Sequence, residues 1–544
     1  MRPFSLKAKP GLFFVVFLAL AFSGLLLSLS SSSQPSPQPW EDAEPGCTSI
    51  MAGRLATVDG SVITAHSCDG NYRNWVNIVP SAKHLEGSTT TIYSGRMHNE
   101  TPRDLQGVVA RGEIPEASET YAFLNTAYPC LNEHQLAIGE TTIGGRRELF
   151  NSSGLFMIEE LERIMLERCT TAREAIRLAG ALVKEYGYGD MGECITVADK
   201  KEVWQLEIFG AGLQQKGAVW AAVRIPDDHV GISANIPRIG ELHLEYPDRY
   251  MASDNVFSLA TEKGWWDPKS GKPFRFWEAY SGRTPYSTRE YFILSSLAPS
   301  LNLKADAEEL PFSVKPDKKV SVRDIMKFYR TTYEGTELDM TKNLMVEERR
   351  GTKMVKSPVA CAWMSRDMFL LLNTLKPGVI ERARTVAIAG CAYSHIIQCR
   401  DWLPDPVGAV AWFAFDNPGQ SARIPIFAGV TELPPNFEVC AQHRFRTDSA
   451  AWAFRRANRL ATVRWGETRG VVEATIKEFE DKAFEDLPYV EKRAVELWAG
   501  GKTEESVSKT REFLTKYTND FARAAVSKYW ELGDRFWTMF ARGF

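Results

Sequence analysis

The stretch Cys47-Thr48-Ser49-Ile50-Met51-Ala52-Gly53, continuing through Asp59-Gly60-Ser61 to Ala65-His66-Ser67-Cys68-Asp69, decides how this chain is read. Thr48 to Gly53 and Ser61 to His66 read as two strands joined around Asp59-Gly60, a good turn dipeptide. With Asp59-Gly60 as the central turn pair, Cys47 faces Tyr72; a longer turn that closes Gly53 on Ser61 makes Cys47 face Ser67. Either register brings the segment from His66 to Tyr72 beside Cys47. Asp69 is then placed to hold a positive charge at Cys47, and His66 to line the same site. Taken singly these readings are weak. A cysteine at a strand start is more often a packing residue, and an aspartate in a polar run more often belongs to a turn.

Outward from this hairpin, the prefix Glu41-Asp42-Ala43-Glu44-Pro45-Gly46 reads as a disposable linker. Cleavage between Gly46 and Cys47 would leave a residue that carries both a thiol and a free α-amine. A thiolate is a strong nucleophile, and an α-amine titrates near ~7.7–8.0, so one residue supplies nucleophile and general base. Glycine before the bond suits self-cleavage because it tolerates a strained backbone.

Further upstream, Arg2, Lys7 and Lys9 precede an apolar run from Gly11 to Leu29, followed by a Ser/Pro/Gln-rich stretch. This pattern reads as an export signal, and its length also fits an uncleaved membrane anchor. Both readings place the rest of the chain outside the cytoplasm, periplasmic, secreted or tethered facing outward. The formal net charge of -3 creates no field for nucleic acid. All nine cysteines lie from Cys47 onward, so an odd number would be exported. None forms a CxxC pair and the eight histidines are dispersed, so no metal site is expected.

More strands are expected at Leu136 to Gly139, Cys194 to Ala198, Val203 to Ile208, Ala218 to Ile225, Val230 to Asn235, Thr385 to Ala392 and Ala409 to Phe415. Ile158, Leu161, Met165 and Leu166 fit one helix face, and Thr171-Ala172-Arg173-Glu174 is a capping box that opens a second helix. Gly187-Tyr188-Gly189-Asp190-Met191-Gly192 spells GxGxxG, but a helix precedes it and a strand follows. That order is the reverse of a dinucleotide site, and the stretch reads as a turn. Hairpins dominate, which favours antiparallel sheets with helices packed outside. From about Ala450 the chain turns helical. Phe513, Tyr517, Phe521, Ala525, Tyr529, Leu532 and Phe536 recur at helical spacing, as expected of a packing face.

The Cys47–Asp69 block resembles the start of the C69 family of cysteine dipeptidases, related to secernins and more distantly to penicillin V acylases and bile salt hydrolases. The likeness continues through Leu131-Asn132-Glu133, Leu136 to Thr142, Glu159-Glu160-Leu161 and Ser233-Ala234-Asn235. It resumes around Gln398 to Pro404, Val410 to Phe413 and Pro425 to Gly429. The resemblance implies an α+β fold, the four-layer αββα sandwich of N-terminal-nucleophile hydrolases. Residues 1–46 would be signal or anchor plus propeptide, 47–450 the catalytic domain, and 451–544 a helical C-terminal extension. It further implies that Cys47 is the nucleophile, that Asp69 orients its amine and that Asn235 donates to the oxyanion. Thr142 falls where the acylase relatives have a second oxyanion-hole asparagine. Many members carry arginine three residues before the aspartate, where this chain has His66, so a fixed positive charge is not assured. Arg238 is a candidate replacement. The expected activity is hydrolysis of amide bonds in short peptides without metal or organic cofactor. The rivals are an acylase on N-acyl or β-lactam amides, and a catalytically silent, membrane-tethered binding protein. The sequence leaves the oligomeric state open.

Overall fold

The computed structural model describes residues 46–213, 215–282, 286–348 and 351–543. The expected signal or anchor segment and the prefix up to Pro45 lie outside the described residues. Among the described residues, no helix is long and apolar enough to cross a membrane.

Two antiparallel sheets carry the architecture. The first has seven strands in the order Ser313–Val314, Val230–Ser233, Thr48–Ala52, Val62–Asp69, Cys391–Cys399, Val410–Phe415 and Ile424–Phe427. The second has eight: Tyr250–Ala252, Ala218–Arg224, Val203–Gly210, Glu193–Ala198, Ala137–Thr142, Leu131–Asn132, Phe123–Asn125 and Asn77–Val79. Thr48–Ala52 (β1) and Val62–Asp69 (β2) are central strands and are buried along their whole length, as strands covered on both faces must be. The sheets face each other, with β2 against Ala137–Thr142 and Glu193–Ala198. Gly139 makes this approach close: a Cβ there would stand 3.3 Å from His66 Cβ and 2.8 Å from Thr196 Oγ1.

Helices cover the outer faces. Thr171 and Glu174 form the expected capping box at the start of Ala172–Tyr186, which packs on the second sheet. Its C-cap Gly187 begins the glycine-rich segment, which turns the chain directly into Glu193–Ala198. On the first sheet, Val322–Arg330, Ala450–Thr462 and Glu504–Met539 lie over Cys391–Cys399, Val410–Phe415 and Ile424–Phe427 respectively. The described residues cluster as one compact unit. Two sequence expectations need correction here. The strand placed at Thr385 to Ala392 starts only at Cys391. The hairpin follows neither proposed register, because Thr48 pairs with Ser67 and Ala52 with Ile63. The physical reason is that the loop is not a tight turn. After Ala52 the chain leaves β2 and hydrogen-bonds elsewhere, with Gly53 N donating to His229 O and Leu55 N to Asp227 O.

The C-terminal stripe packs as its spacing predicts. Phe521, Ala525, Tyr529, Leu532 and Phe536 are buried, while Phe513 and Tyr517 are partly so. Tyr529 stacks on Phe454 at 3.9 Å; its hydroxyl donates to Gln420 O and accepts from Ala422 N. Truncating a buried aromatic of this kind costs about 3–5 kcal/mol. Tyr529→Ala is therefore expected to lose about that much stability in denaturant unfolding, whereas Tyr529→Phe should lose only the hydrogen bonds, about 1–3 kcal/mol.

Candidate active site

The β1–β2 register fixes which side chains meet. Gly46 N donates to Asp69 O across the strand ends at 3.2 Å, two pairs beyond Thr48–Ser67. Side chains alternate along a strand. Cys47 and Ser49 on β1, with Thr64, His66 and Cys68 on β2, therefore point between the sheets. Thr48, Ser67 and Asp69 point the other way.

Between the sheets the site is polar and fully buried. Ser49 Oγ donates to Glu140 O, and the hydroxyls of Thr64 and Thr196 meet at 2.5 Å. His66 Nδ1 lies 2.5 Å from Glu140 O and 3.2 Å from Glu140 N; the nearer contact is a carbonyl, which only accepts, and this assigns the proton to Nδ1. Burial drives the His66 pKa down to about 4, so the ring is neutral near pH 7. The Cys47 thiol is held well above its ordinary range by contact with the Cys68 thiol, by burial and by the nearby Glu140. With Gly46 attached it is thus a neutral thiol, in need of a base. Burial lifts Glu140 to about 7 against the relief from Glu193, Cys47 and Thr142.

On the other face, the main chain at Cys47 sits among cations. Arg289 Nη1 donates to Cys47 O at 2.6 Å, to Thr48 Oγ1 and to Gly46 O; its Nη2 reaches Ala234 O and Asn235 Oδ1. Burial and the charge of Arg384 lower Arg289 to about 10, which leaves it cationic at neutral pH. Arg384 Nη2 bridges Gly46 O and Asp69 Oδ2, the latter at 2.8 Å. Ser67 Oγ donates to the same Asp69 oxygen. Asn235 is left-handed at φ +65° and sends Nδ2 to Thr142 O at 2.7 Å. Its amide packs on Gly46, where a Cβ would stand 2.4 Å from Asn235 Oδ1.

The other four expected site residues, His66, Asp69, Thr142 and Asn235, therefore gather around Cys47. Thr142 contributes its carbonyl, while its hydroxyl donates to Glu140 Oε1. Arg238 does not supply the missing charge: its side chain holds Leu310 O and Pro311 O and lies 3.8 Å from Glu290. The cations are instead Arg289 and Arg384. Arg289 sits in the first turn of Thr288–Leu297 and Arg384 in an irregular segment before Cys391–Cys399. Neither stands in a motif, and only the long-range fold brings them to Cys47. Glu140 and Cys68 lie inside the quoted blocks, and only the register reveals that they touch the nucleophile.

The family model for peptidase family C69 matches residues 46–478, beginning one residue before Cys47. The chain belongs to peptidase family C69. It is similar to a probable dipeptidase of Salmonella dublin, 26% identical over 422 residues that cover 72% of this chain and 82% of that protein. A probable dipeptidase of Latilactobacillus sakei is 24% identical over 471 residues, covering 80% of this chain and 88% of its own. Dipeptidase A of Lactobacillus helveticus is 23% identical over 454 residues, covering 80% and 85%.

The raised Glu140 pKa has a consequence for stability. A buried carboxyl that holds its proton more tightly than the unfolded chain's 4.5 stabilises the fold fully below that value. That contribution is lost as pH rises through about 7. Glu140→Gln, neutral at every pH, should escape the loss. The melting temperature of the wild type is expected to fall relative to Glu140→Gln as pH rises from about 5 through about 7. Thermal scans across that range check it.

Proposed function

We infer that this chain is a dipeptidase that hydrolyses the amide bond of short peptides, with Cys47 as an N-terminal nucleophile exposed by cleavage after Gly46. The observation that carries the reading is the set of groups around the Gly46–Cys47 peptide. Arg289 and Arg384 hold the Gly46 carbonyl, Asn235 packs on the Gly46 Cα, and the Cys47 thiol is buried and protonated. Two facing antiparallel sheets between helical layers support the four-layer αββα arrangement of N-terminal-nucleophile hydrolases. In that reading the nucleophile stands at the end of a central strand.

Cleavage turns the Cys47 nitrogen into a free amine. The amine takes the thiol proton, and sulfur attacks the substrate carbonyl. Nδ2 of Asn235 with a main-chain N–H stabilises the oxyanion. The amine returns its proton to the leaving nitrogen, and water then hydrolyses the thioester. Asp69, tied to Ser67 and Arg384, orients the amine from the far side of the strand. His66 acts as a neutral hydrogen-bonding wall of the site. The N-terminal segment exports the enzyme, so turnover takes place outside the cytoplasm. The helical segment after Ala450 braces the first sheet from behind.

Intact mass and N-terminal sequencing of the mature protein are expected to show Cys47 first, and Cys47→Ala should remain unprocessed. Gly46→Val places a side chain on the Asn235 amide and should slow processing by about 10²-fold or more, the scale of one lost oxyanion donor. A functional protein that retains residues before Cys47 would refute the mechanism.

Asn235→Ala in the mature enzyme is expected to lower kcat on dipeptides by roughly 10²–10³ without changing the circular dichroism. Alkylation of Cys47 should abolish turnover. Turnover confined to penicillin V-type amides would replace the dipeptidase by an acylase that uses the same nucleophile. Absence of any thiol-dependent turnover in the processed protein would favour a silent binding protein.

A further inference from the structure

The fold brings together three metal-ligating groups that their spacing in the chain does not announce. Cys47 Sγ, a ring nitrogen of His66 and a carboxylate oxygen of Glu140 all lie within 4.8 Å of one another, and all three residues are buried. Two of them keep buried atoms with no hydrogen-bond partner among the described residues, His66 Nε2 and Glu140 Oε2. An imidazole, a thiol and a carboxylate are the donor types that a tetrahedral zinc site combines, three from the protein with a fourth position left open.

The geometry points to an inhibitory zinc site formed by Cys47, His66 and Glu140, which takes Zn2+ or a similar borderline-soft divalent ion and so blocks the nucleophile. Binding displaces the thiol proton, and the Glu140 proton where the carboxyl holds one, to solvent, and no electron is transferred. With Nδ1 on the Glu140 carbonyl, Nε2 is the ring nitrogen that presents a lone pair. The carboxylate supplies a negative charge, and with the thiolate it neutralises the ion inside the sheet sandwich. Arg289 and Arg384 stand on the opposite face of β1 and hold main-chain oxygens, so they do not crowd the cation. Cleavage before Cys47 would add its α-amine as a fourth donor, closing a five-membered N,S chelate. His66 is decisive, because arginine at this place would put a fixed cation where the ion sits.

Metal binding itself does not depend on the dipeptidase reading, whereas the inhibition does. The test therefore has two readouts. Purified mature protein is titrated with Zn2+ in a calorimeter, and with Co2+ in a spectrophotometer. One equivalent is expected to bind, with Co2+ giving a thiolate charge-transfer band and the visible bands of a four-coordinate ion. Cys47→Ala should lose the charge-transfer band. Glu140→Gln and His66→Arg should each weaken Zn2+ by at least about 100-fold, since partners merely behind a ligand are already worth about 10–100-fold. Cys68→Ser, which leaves all three ligands in place, should keep the band. Dipeptide turnover should fall in step with occupancy and return on adding a chelator. No saturable binding, or binding unchanged in Cys47→Ala and Glu140→Gln with native circular dichroism, overturns the site. Binding as expected without effect on a peptide-cleaving enzyme overturns the inhibition. If no peptide is cleaved at all, the metal titration still decides the site, and the failure belongs to the dipeptidase reading.

Discussion

The pairing of Thr48 with Ser67 is the constraint on which the rest of the site depends. Because side chains alternate, a shift by one residue would turn Cys47 relative to His66 and Cys68 and carry it away from Glu140. The pairing is held at both ends. Beyond Ala52 the chain docks on the segment around Asp227 and His229, and at the open end Gly46 N closes on Asp69 O. Along the sides, β1 and β2 each have a second neighbour: Val230–Ser233 holds β1, and Cys391–Cys399 holds β2. Cys47, one residue before β1, is therefore held at the end of a strand pair flanked on both sides.

The two faces of that strand pair do different work. The inward face carries chemistry in a nearly charge-free layer, where burial keeps His66 neutral and lifts the Cys47 and Glu140 protons into or above the neutral range. The outward face carries the fixed charges, Asp69, Arg289 and Arg384, all bound to main chain or to each other. Burying an unpaired charge is costly, and pairing these three around the strand end offsets that cost. The cations stand on the opposite face from His66, which leaves the inward position to a neutral ring.

This division marks what could be read from the sequence. The strands of the hairpin, the capping box at Thr171, the glycine-rich turn and the aromatic stripe of the last helix follow from local pattern, and each occurs where it was expected. The grouping of Cys47, His66, Asp69, Thr142 and Asn235 was legible because those residues lie in motif blocks. What local pattern could not give is contact across hundreds of residues. Arg289 and Arg384 reach the nucleophile from chain positions more than two hundred residues away, through loop and helix-start geometry with no periodic signal. The exact register escaped for a related reason. The hairpin's turn residues suggested a tight connection, whereas the loop satisfies its backbone against the Asp227 segment, which lies far along the chain.

Gly46 shows how tightly maturation and catalysis are joined. Its φ of +149° and the 2.4 Å that would separate a Cβ from Asn235 Oδ1 leave room only for glycine. The amide that excludes a side chain from Gly46 is the one assigned to the oxyanion, and the carbonyl of Gly46 is gripped by two arginines. Precursor and substrate would thus lie beside the same amide, although the donors on the Gly46 carbonyl are the two arginines. The difference between them lies in the base. With Gly46 attached, the Cys47 nitrogen is an amide, and the thiol, held up by Cys68 and burial, keeps its proton. Once that bond is cut, the nitrogen becomes an amine within reach of its own sulfur, and the thiol acquires the base that the buried site otherwise lacks. In the proposed mechanism the catalytic base does not exist while Gly46 remains attached to Cys47.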